Sequence, residues 1–115
     1  MNQPIIYHNS ACSKCMLVTH ILEENGFKPI AVNYLLTPLN RSQLKELLIL
    51  LNLNAKDMVR KDDPIFIENY SKIVEQDEYL DALEKFPILM QRPVVVYKGK
   101  AIIARPPQKV LDILK

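Results

Sequence analysis

The sequence predicts an α/β fold, a four-stranded mixed sheet built from a βαβ unit and a ββα unit with a helical insert between them. Short apolar and β-branched runs near both ends of the chain predict the strands. Residues 39–87, between the two units, show mainly helical periodicity. With 115 residues, the chain has the length of one domain, which we expect to span residues 1–115.

The N-terminal part of the chain predicts the βαβ unit. The apolar run at residues 4–7 and the β-rich run at residues 28–34 predict two strands. From residue 13 to about residue 25 apolar side chains recur at helical spacing, at Leu17, Val18, Ile21 and Leu22. Gly26 marks the end of this helix. A strand, a helix and a strand in about thirty residues should place the two strands parallel.

The middle of the chain predicts helices. Asn40, followed three residues later by Gln43, predicts a capping pair. Four leucines then repeat at helical spacing, namely Leu44, Leu47, Leu48 and Leu51. We expect a shorter helix at residues 55–59 and a longer one at 75–85, with a break in the helical pattern at 61–64.

The C-terminal part predicts the ββα unit. β-rich runs at residues 94–97 and 101–104 flank Lys98-Gly99-Lys100, which predicts a hairpin. Pro106 and Pro107 should open a last helix, because proline suits the first helical turn. Its apolar face is expected at Val110, Leu111 and Leu114. A βαβ unit and a ββα unit that share one sheet form the thioredoxin arrangement.

The composition excludes several classes of protein. Hydrophobic residues make up 49% and charged residues 24%, which is typical of a globular domain. No apolar run approaches the ~20 residues of a membrane span. Residues 1–4 show no signal-peptide pattern, so we expect a cytoplasmic protein without a membrane partner. A net charge of +2 gives no reason to expect direct nucleic-acid binding, and the size fits a monomer.

Two cysteines, Cys12 and Cys15, form a C-x-x-C pair after the first strand. A disulfide between them would close almost no loop and would stabilise the fold little. A structural zinc site takes four ligands. Besides these thiols the chain offers only His8 and His20, so we expect no metal. In a cytoplasmic protein, C-x-x-C beside a βαβ pattern favours redox chemistry.

Cys12 is expected at the N-terminus of the first helix. Unpaired backbone N–H groups and the helix dipole stabilise a thiolate there, and the thiolate is the nucleophile. The same position favours oxyanions. Three arginines could complete an oxyanion site, because a guanidinium donates paired hydrogen bonds: Arg60, Arg92 and Arg105. Sequence spacing alone does not bring the three together.

Several stretches closely resemble the glutaredoxin-coupled arsenate reductase family. They are Ile-Tyr-His-Asn-Ser-Ala-Cys at 6–12, Tyr-Leu-Leu-Thr-Pro at 34–38, Val-Arg-Lys at 59–61, Phe-Pro-Ile-Leu-Met-Gln-Arg-Pro-Val-Val at 86–95 and Ala-Arg-Pro at 104–106. The resemblance runs in register over essentially the whole chain. It implies a thioredoxin-like fold with a helical insert, in agreement with the element order.

The resemblance also implies a reaction. Cys12 would attack arsenate and form a covalent thiol–arsenate adduct, and glutathione, as co-substrate, with glutaredoxin would complete the reduction to arsenite. No bound cofactor is implied. The resemblance also implies roles for five other residues. Arg60, Arg92 and Arg105 would bind the oxyanion. His8 would lie near the nucleophile, and Pro93 resembles the cis-proline that faces the thiol in this fold.

The sequence departs from this pattern after the nucleophile. Well-known resistance enzymes have serine and arginine where this chain has Cys15 and Met16. Cys15 either resolves the Cys12 adduct through an internal disulfide, which a thioredoxin or glutaredoxin would reduce, or faces inward unused. Two other functions remain open: a dithiol–disulfide oxidoreductase that uses Cys12 and Cys15, and a redox-sensing transcription regulator of the Spx type, which binds RNA polymerase.

Overall fold

The structure, a computed structural model, describes residues 3–9 and 12–114. Ser10 and Ala11, in the predicted loop at 8–11, lie outside the described residues. The chain forms two compact units, one made of residues 1–37 and 92–115 and the other of residues 38–91. No described helix is long and apolar enough to cross a bilayer.

The first unit contains the predicted four-stranded mixed sheet. Its elements are β1 (Ile5–His8), α1 (Ser13–Glu24), β2 (Ile30–Asn33), β3 (Val94–Tyr97), β4 (Lys100–Ile103) and a 3₁₀ helix (Pro107–Ile113). The strand order is β2-β1-β3-β4. β1 and β2 are parallel, as the βαβ pattern predicts, and the other two pairings are antiparallel. The predicted α/β fold class is confirmed.

The core of the first unit lies between the sheet, α1 and the 3₁₀ helix. Its buried members are Ile6, Val18, Leu22, Val95, Tyr97, Ala104, Val110 and Ile113. Leu17, one of the four apolar residues that predicted α1, lies outside this core, because it is 54% exposed. Consecutive residues on an α-helix differ by about 100°, so Leu17 points away from the face centred on Val18. Cys15 occupies the inward position instead.

The last helix follows the 3₁₀ rather than the α period. Its buried residues are Pro107, Val110 and Ile113, which are three apart, the repeat of a 3₁₀ helix. The expected face was therefore wrong at Leu111, which is 38% exposed. Leu114 is half-buried and packs against the core.

The hairpin between β3 and β4 has a two-residue turn, one residue shorter than predicted. Tyr97 pairs with Lys100 across the turn. Lys98 and Gly99 both have positive φ, 48° and 74°. Such a turn matches the right-handed twist of the two strands it connects.

The second unit is helical. Its elements are α2 (Arg41–Leu51), α3 (Ala55–Met58), α4 (Pro64–Asn69), α5 (Gln76–Lys85) and a short 3₁₀ helix (Pro87–Leu89). The predicted capping pair is confirmed, because the Gln43 N–H donates to Asn40 Oδ1 at 2.8 Å and the Asn40 N–H donates to Gln43 Oε1 at 2.9 Å.

The sequence pattern missed α4, where only a break was expected at 61–64. The break is the start of this helix. Asp63 caps it by accepting a hydrogen bond from the Ile65 N–H at 2.9 Å, and Pro64 takes the first helical position. Proline tolerates that position because its missing N–H would have no partner there.

Replacing Leu22 by alanine should lower the free energy of unfolding by about 2–5 kcal/mol, because Leu22 is fully buried against the sheet. Leu17→Ala removes the same atoms from the exposed side of the same helix and should cost less than about 1 kcal/mol. Urea denaturation measures both values. Equal losses for the two variants would contradict the observed orientation of α1.

Candidate active site

Cys12 lies at the N-cap of α1, as the sequence predicts. Its backbone is extended, with φ −97° and ψ 112°. Its N–H donates to the Asn9 carbonyl at 2.9 Å, and its own carbonyl accepts from the Cys15 N–H at 3.2 Å. The side chain is half-buried. The sulfur is therefore held where the first N–H groups of a twelve-residue helix converge.

Cys15 lies on the inward face of α1 and is only 2% exposed. Its thiol donates a hydrogen bond to the Cys12 sulfur, and the Asn9 backbone N–H donates to the Cys15 sulfur. Both cysteines are free thiols. Asn9 thus binds Cys12 through its carbonyl and Cys15 through its N–H, and the two sulfurs are in direct contact.

The surroundings of Cys12 favour its thiolate. Burial raises the pKa of this thiol, but hydrogen bonds from the Cys15 side chain, the Cys15 N–H, the Arg92 guanidinium and the Lys14 N–H lower it. The hydrogen bonds outweigh burial, so the pKa of Cys12 lies below its ordinary value. The site therefore supplies a thiol that is more readily ionised than a free cysteine.

Cys15 shows the opposite behaviour. Burial is the largest cause that raises its pKa to about 11, and the hydrogen bond to Cys12 and the negative charge of Cys12 add to it. The Asn9 N–H and the positive charge of Arg92 oppose this rise in pKa without cancelling it. The pair therefore divides its roles: Cys12 is the more readily ionised thiol and Cys15 is the one that keeps its proton.

Arg92 is the cation of this site. It directly precedes β3, and its guanidinium hydrogen-bonds to the Cys12 sulfur. Its Nε and Nη1 atoms are buried and have no hydrogen-bond partner among the residues that the structure describes. Buried donors without partners are rare in proteins and are costly. Charge-assisted hydrogen bonds make an anion with several oxygens a favourable partner for a guanidinium with donors to spare.

Pro93 fixes the position of Arg92. The Arg92–Pro93 peptide bond is cis, as the sequence resemblance implies, and Pro93 is fully buried. The Pro93 carbonyl accepts a hydrogen bond from the Ala104 N–H at 2.9 Å. This contact ties the start of β3 to the end of β4, next to Arg105.

Arg105 and Arg60 are placed differently from Arg92. Arg105 is exposed just beyond β4, also before a cis-proline, and its guanidinium has no partner among residues 3–9 and 12–114. Arg60 belongs to the second unit, where its guanidinium donates to the Ile88 carbonyl at 3.2 Å and lies 3.5 Å from Asp63 Oδ2. The assignment of both to oxyanion binding stays a prediction.

His8 is the last residue of β1 and pairs with Asn33 of β2. It is half-buried and borders a groove of about 870 Å³ beside α1, together with Ser13 and Met16. The groups that shift the pKa of Cys12 come from Cys15, Arg92 and Lys14. A supporting role for His8 stays a prediction. His20, expected at the surface, is exposed beside Glu24.

Sequence reasoning missed Asn9. It is the one buried polar residue among the described core positions, and it binds both cysteines through its backbone. Its only signal was a small polar residue shortly before the C-x-x-C pair, which is common in loops generally. Among the described residues no group of three or more histidine, cysteine or acidic side chains could hold a metal ion.

Comparisons with known proteins show which family this chain matches over most of its length. The sequence profile of the ArsC family matches residues 7–113. Escherichia coli YfgD, an uncharacterized protein, is 39% identical over 112 residues, covering 95% of this chain and 94% of that protein. An arsenate reductase of Neisseria meningitidis is 34% identical over 114 residues, covering 95% and 96%. The structure of an arsenate reductase from Vibrio cholerae matches with a TM-score of 0.92 at 34% identity, covering 97% and 98%.

Arg92→Gln should raise the pKa of Cys12, because it removes a charged donor from the thiolate. The fraction of Cys12 present as thiolate at a given pH falls when its pKa rises. The pH dependence of Cys12 alkylation by iodoacetamide should therefore shift to higher pH. Arg105→Gln is the matched control, since Arg105 is not among the groups that shift the pKa of Cys12. Equal alkylation profiles for wild type and Arg92→Gln would contradict the contact.

Proposed function

The chain belongs to the ArsC family, and we propose that it reduces arsenate to arsenite, with Cys12 as the nucleophile and glutathione with glutaredoxin as the source of electrons. One observation carries this proposal. The nucleophilic sulfur and a guanidinium with two buried, unpaired nitrogens are in direct hydrogen-bond contact. A nucleophile and a guanidinium with further donors therefore occupy one place.

The relatives support the substrate class. Two proteins named arsenate reductase align with 95% or more of this chain, and each is 34% identical to it in sequence. Arsenate is a tetrahedral oxyanion, and the planar fork of arginine can donate two parallel hydrogen bonds to such a group. Arg92 contacts the Cys12 sulfur and has two further nitrogens, Nε and Nη1, without a partner among the described residues, which supports an anionic substrate at this place.

In the first step, the Cys12 sulfur attacks arsenic and forms a sulfur–arsenic bond while one arsenate oxygen leaves as water. Negative charge develops on the arsenate oxygens during this displacement. Arg92 and the first N–H groups of α1 stabilise that charge, because they are already aimed at the site before reaction. Ionisation of Cys12 is favoured by the same donors.

In the second step, a thiol attacks the adduct at the Cys12 sulfur. The sulfur–arsenic bond breaks, its electron pair stays on arsenic, and arsenic leaves as arsenite while a disulfide forms. When the attacking thiol is glutathione, the product is a mixed disulfide that glutaredoxin reduces. Such exchange proceeds in the cytoplasm, where thiols are kept reduced, and we place the protein there as a monomer.

A second candidate function is general dithiol–disulfide exchange. The direct contact of the Cys12 and Cys15 sulfurs favours it. This activity would need both cysteines and would be independent of arsenate. In this candidate the arginines would bind glutathione or another anion, and the relatives named arsenate reductase favour arsenate reduction over it.

Arg92→Ala should lower arsenate-dependent NADPH oxidation, measured with glutathione, glutathione reductase and glutaredoxin, by about a hundredfold or more, because one transition-state donor contributes roughly 3–4 kcal/mol. Lys109→Gln is the matched control. It removes one positive charge from an exposed position in the same unit and should keep wild-type turnover.

Circular dichroism should show the same fold for both variants. Cys12→Ser should abolish the reaction. Unchanged turnover in Arg92→Ala would contradict the proposed function, and arsenate-independent disulfide reduction by wild type would favour the second candidate.

A further inference from the structure

We propose that Cys15 is the resolving thiol of this site: it attacks the Cys12 sulfur of the thiol–arsenate adduct, releasing arsenite and leaving a Cys12–Cys15 disulfide. The inference rests on the proposed arsenate reduction. It adds a second reacting residue. It also means that the external reductant acts on a Cys12–Cys15 disulfide and not on the thiol–arsenate adduct.

The contact between the two sulfurs is the first support. Cys15 already donates a hydrogen bond to Cys12, so the attacking and accepting atoms are neighbours before the reaction begins. Asn9 holds both residues, through its carbonyl for Cys12 and its N–H for Cys15. A preformed contact of this kind gives an internal thiol a large effective concentration over an external one.

Burial is the second support. Cys15 is 2% exposed, whereas Cys12 is half-buried. External thiols therefore have little access to Cys15, whereas its sulfur is hydrogen-bonded to the Cys12 sulfur. Serine is close to cysteine in size and could fill this inward position. Packing alone therefore does not require a cysteine here.

The adduct changes the charge that Cys15 experiences. In the free protein the negative Cys12 and the hydrogen bond to it help to hold the pKa of Cys15 at about 11. Formation of the sulfur–arsenic bond removes the charge from the Cys12 sulfur and with it both of these causes. The Asn9 N–H and the positive charge of Arg92 still lower the pKa. The loss of these two causes favours ionisation of Cys15, whereas burial, the largest cause, and the negative oxygens of the adduct still oppose it.

The step balances in atoms and electrons. Cys15 forms a sulfur–sulfur bond with Cys12 as the sulfur–arsenic bond breaks, and the electron pair of that bond reduces arsenic(V) to arsenic(III). The proton of the Cys15 thiol passes to the departing oxyanion, which leaves as arsenious acid. The two cysteines are oxidised to a disulfide. An external thiol or dithiol, of the glutathione, glutaredoxin or thioredoxin class, then attacks the more accessible Cys12 sulfur and restores both thiols.

A single-turnover experiment tests this inference. Fully reduced protein, freed of all external thiols, is mixed with arsenate, and arsenite, free thiols and intact mass are measured. The wild type should release about one arsenite per chain and lose both thiols, because the chain itself supplies the two electrons. Its mass should fall by two hydrogen atoms.

The variants separate the roles of the two thiols. Cys15→Ser should release less than about a tenth of this arsenite without external thiol, and should release arsenite when glutathione is added. Thr19→Ala is the matched control, because it removes a hydrogen bond to the Cys15 carbonyl and leaves both sulfurs in place. It should keep the wild-type burst.

Two results would overturn the inference: a wild type that keeps both thiols and releases arsenite only with glutathione, or a Cys15→Ser burst equal to that of wild type. The thiol count in wild type decides the question even if Cys15→Ser fails to fold. Absence of arsenite with glutathione and glutaredoxin both present would instead overturn the proposed function, and the inference with it.

Discussion

The hydrogen bond from the Cys15 thiol to the Cys12 sulfur is the interaction on which the site depends. It favours the proton on the buried sulfur and the charge on the half-buried one, so the more readily ionised thiol is the one that a substrate can reach. The first turn of α1 makes this contact available, because residues three apart on a helix face the same side. Asn9 holds the loop before α1 against both residues.

The position of Arg92 connects this pair to the sheet. Arg92 lies two residues before β3, and its guanidinium hydrogen-bonds to the Cys12 sulfur. Arg92 lowers the pKa of Cys12, yet two of its nitrogens have no partner among the described residues. The same side chain can thus stabilise the thiolate in the free protein and hold an oxyanion beside it in the complex, which links activation of the nucleophile to binding of the substrate.

Local patterns in the sequence predicted much of the fold. The Asn40 cap and the two-strand hairpin were found because short-range residue types determine them. The exposure of Leu17 was missed because an apolar pattern does not fix the rotation of a helix when a cysteine can take the inward position. In the site, the C-x-x-C pair after the first strand pointed to Cys12, and Arg92 was one of three arginine candidates that sequence spacing could not bring together. The role of Asn9 depends on backbone groups, which the residue type does not reveal.

The most direct test of this account is the order in which the two cysteines titrate. Protein labelled with ¹³C at the cysteine β-carbons would be followed by NMR across pH, with single-cysteine variants for assignment. We expect Cys12 to titrate below the ordinary value of a free cysteine and Cys15 far above it, near its pKa of about 11. Titration of Cys15 before Cys12, or of both near the free-cysteine value, would contradict the division of roles between the two thiols.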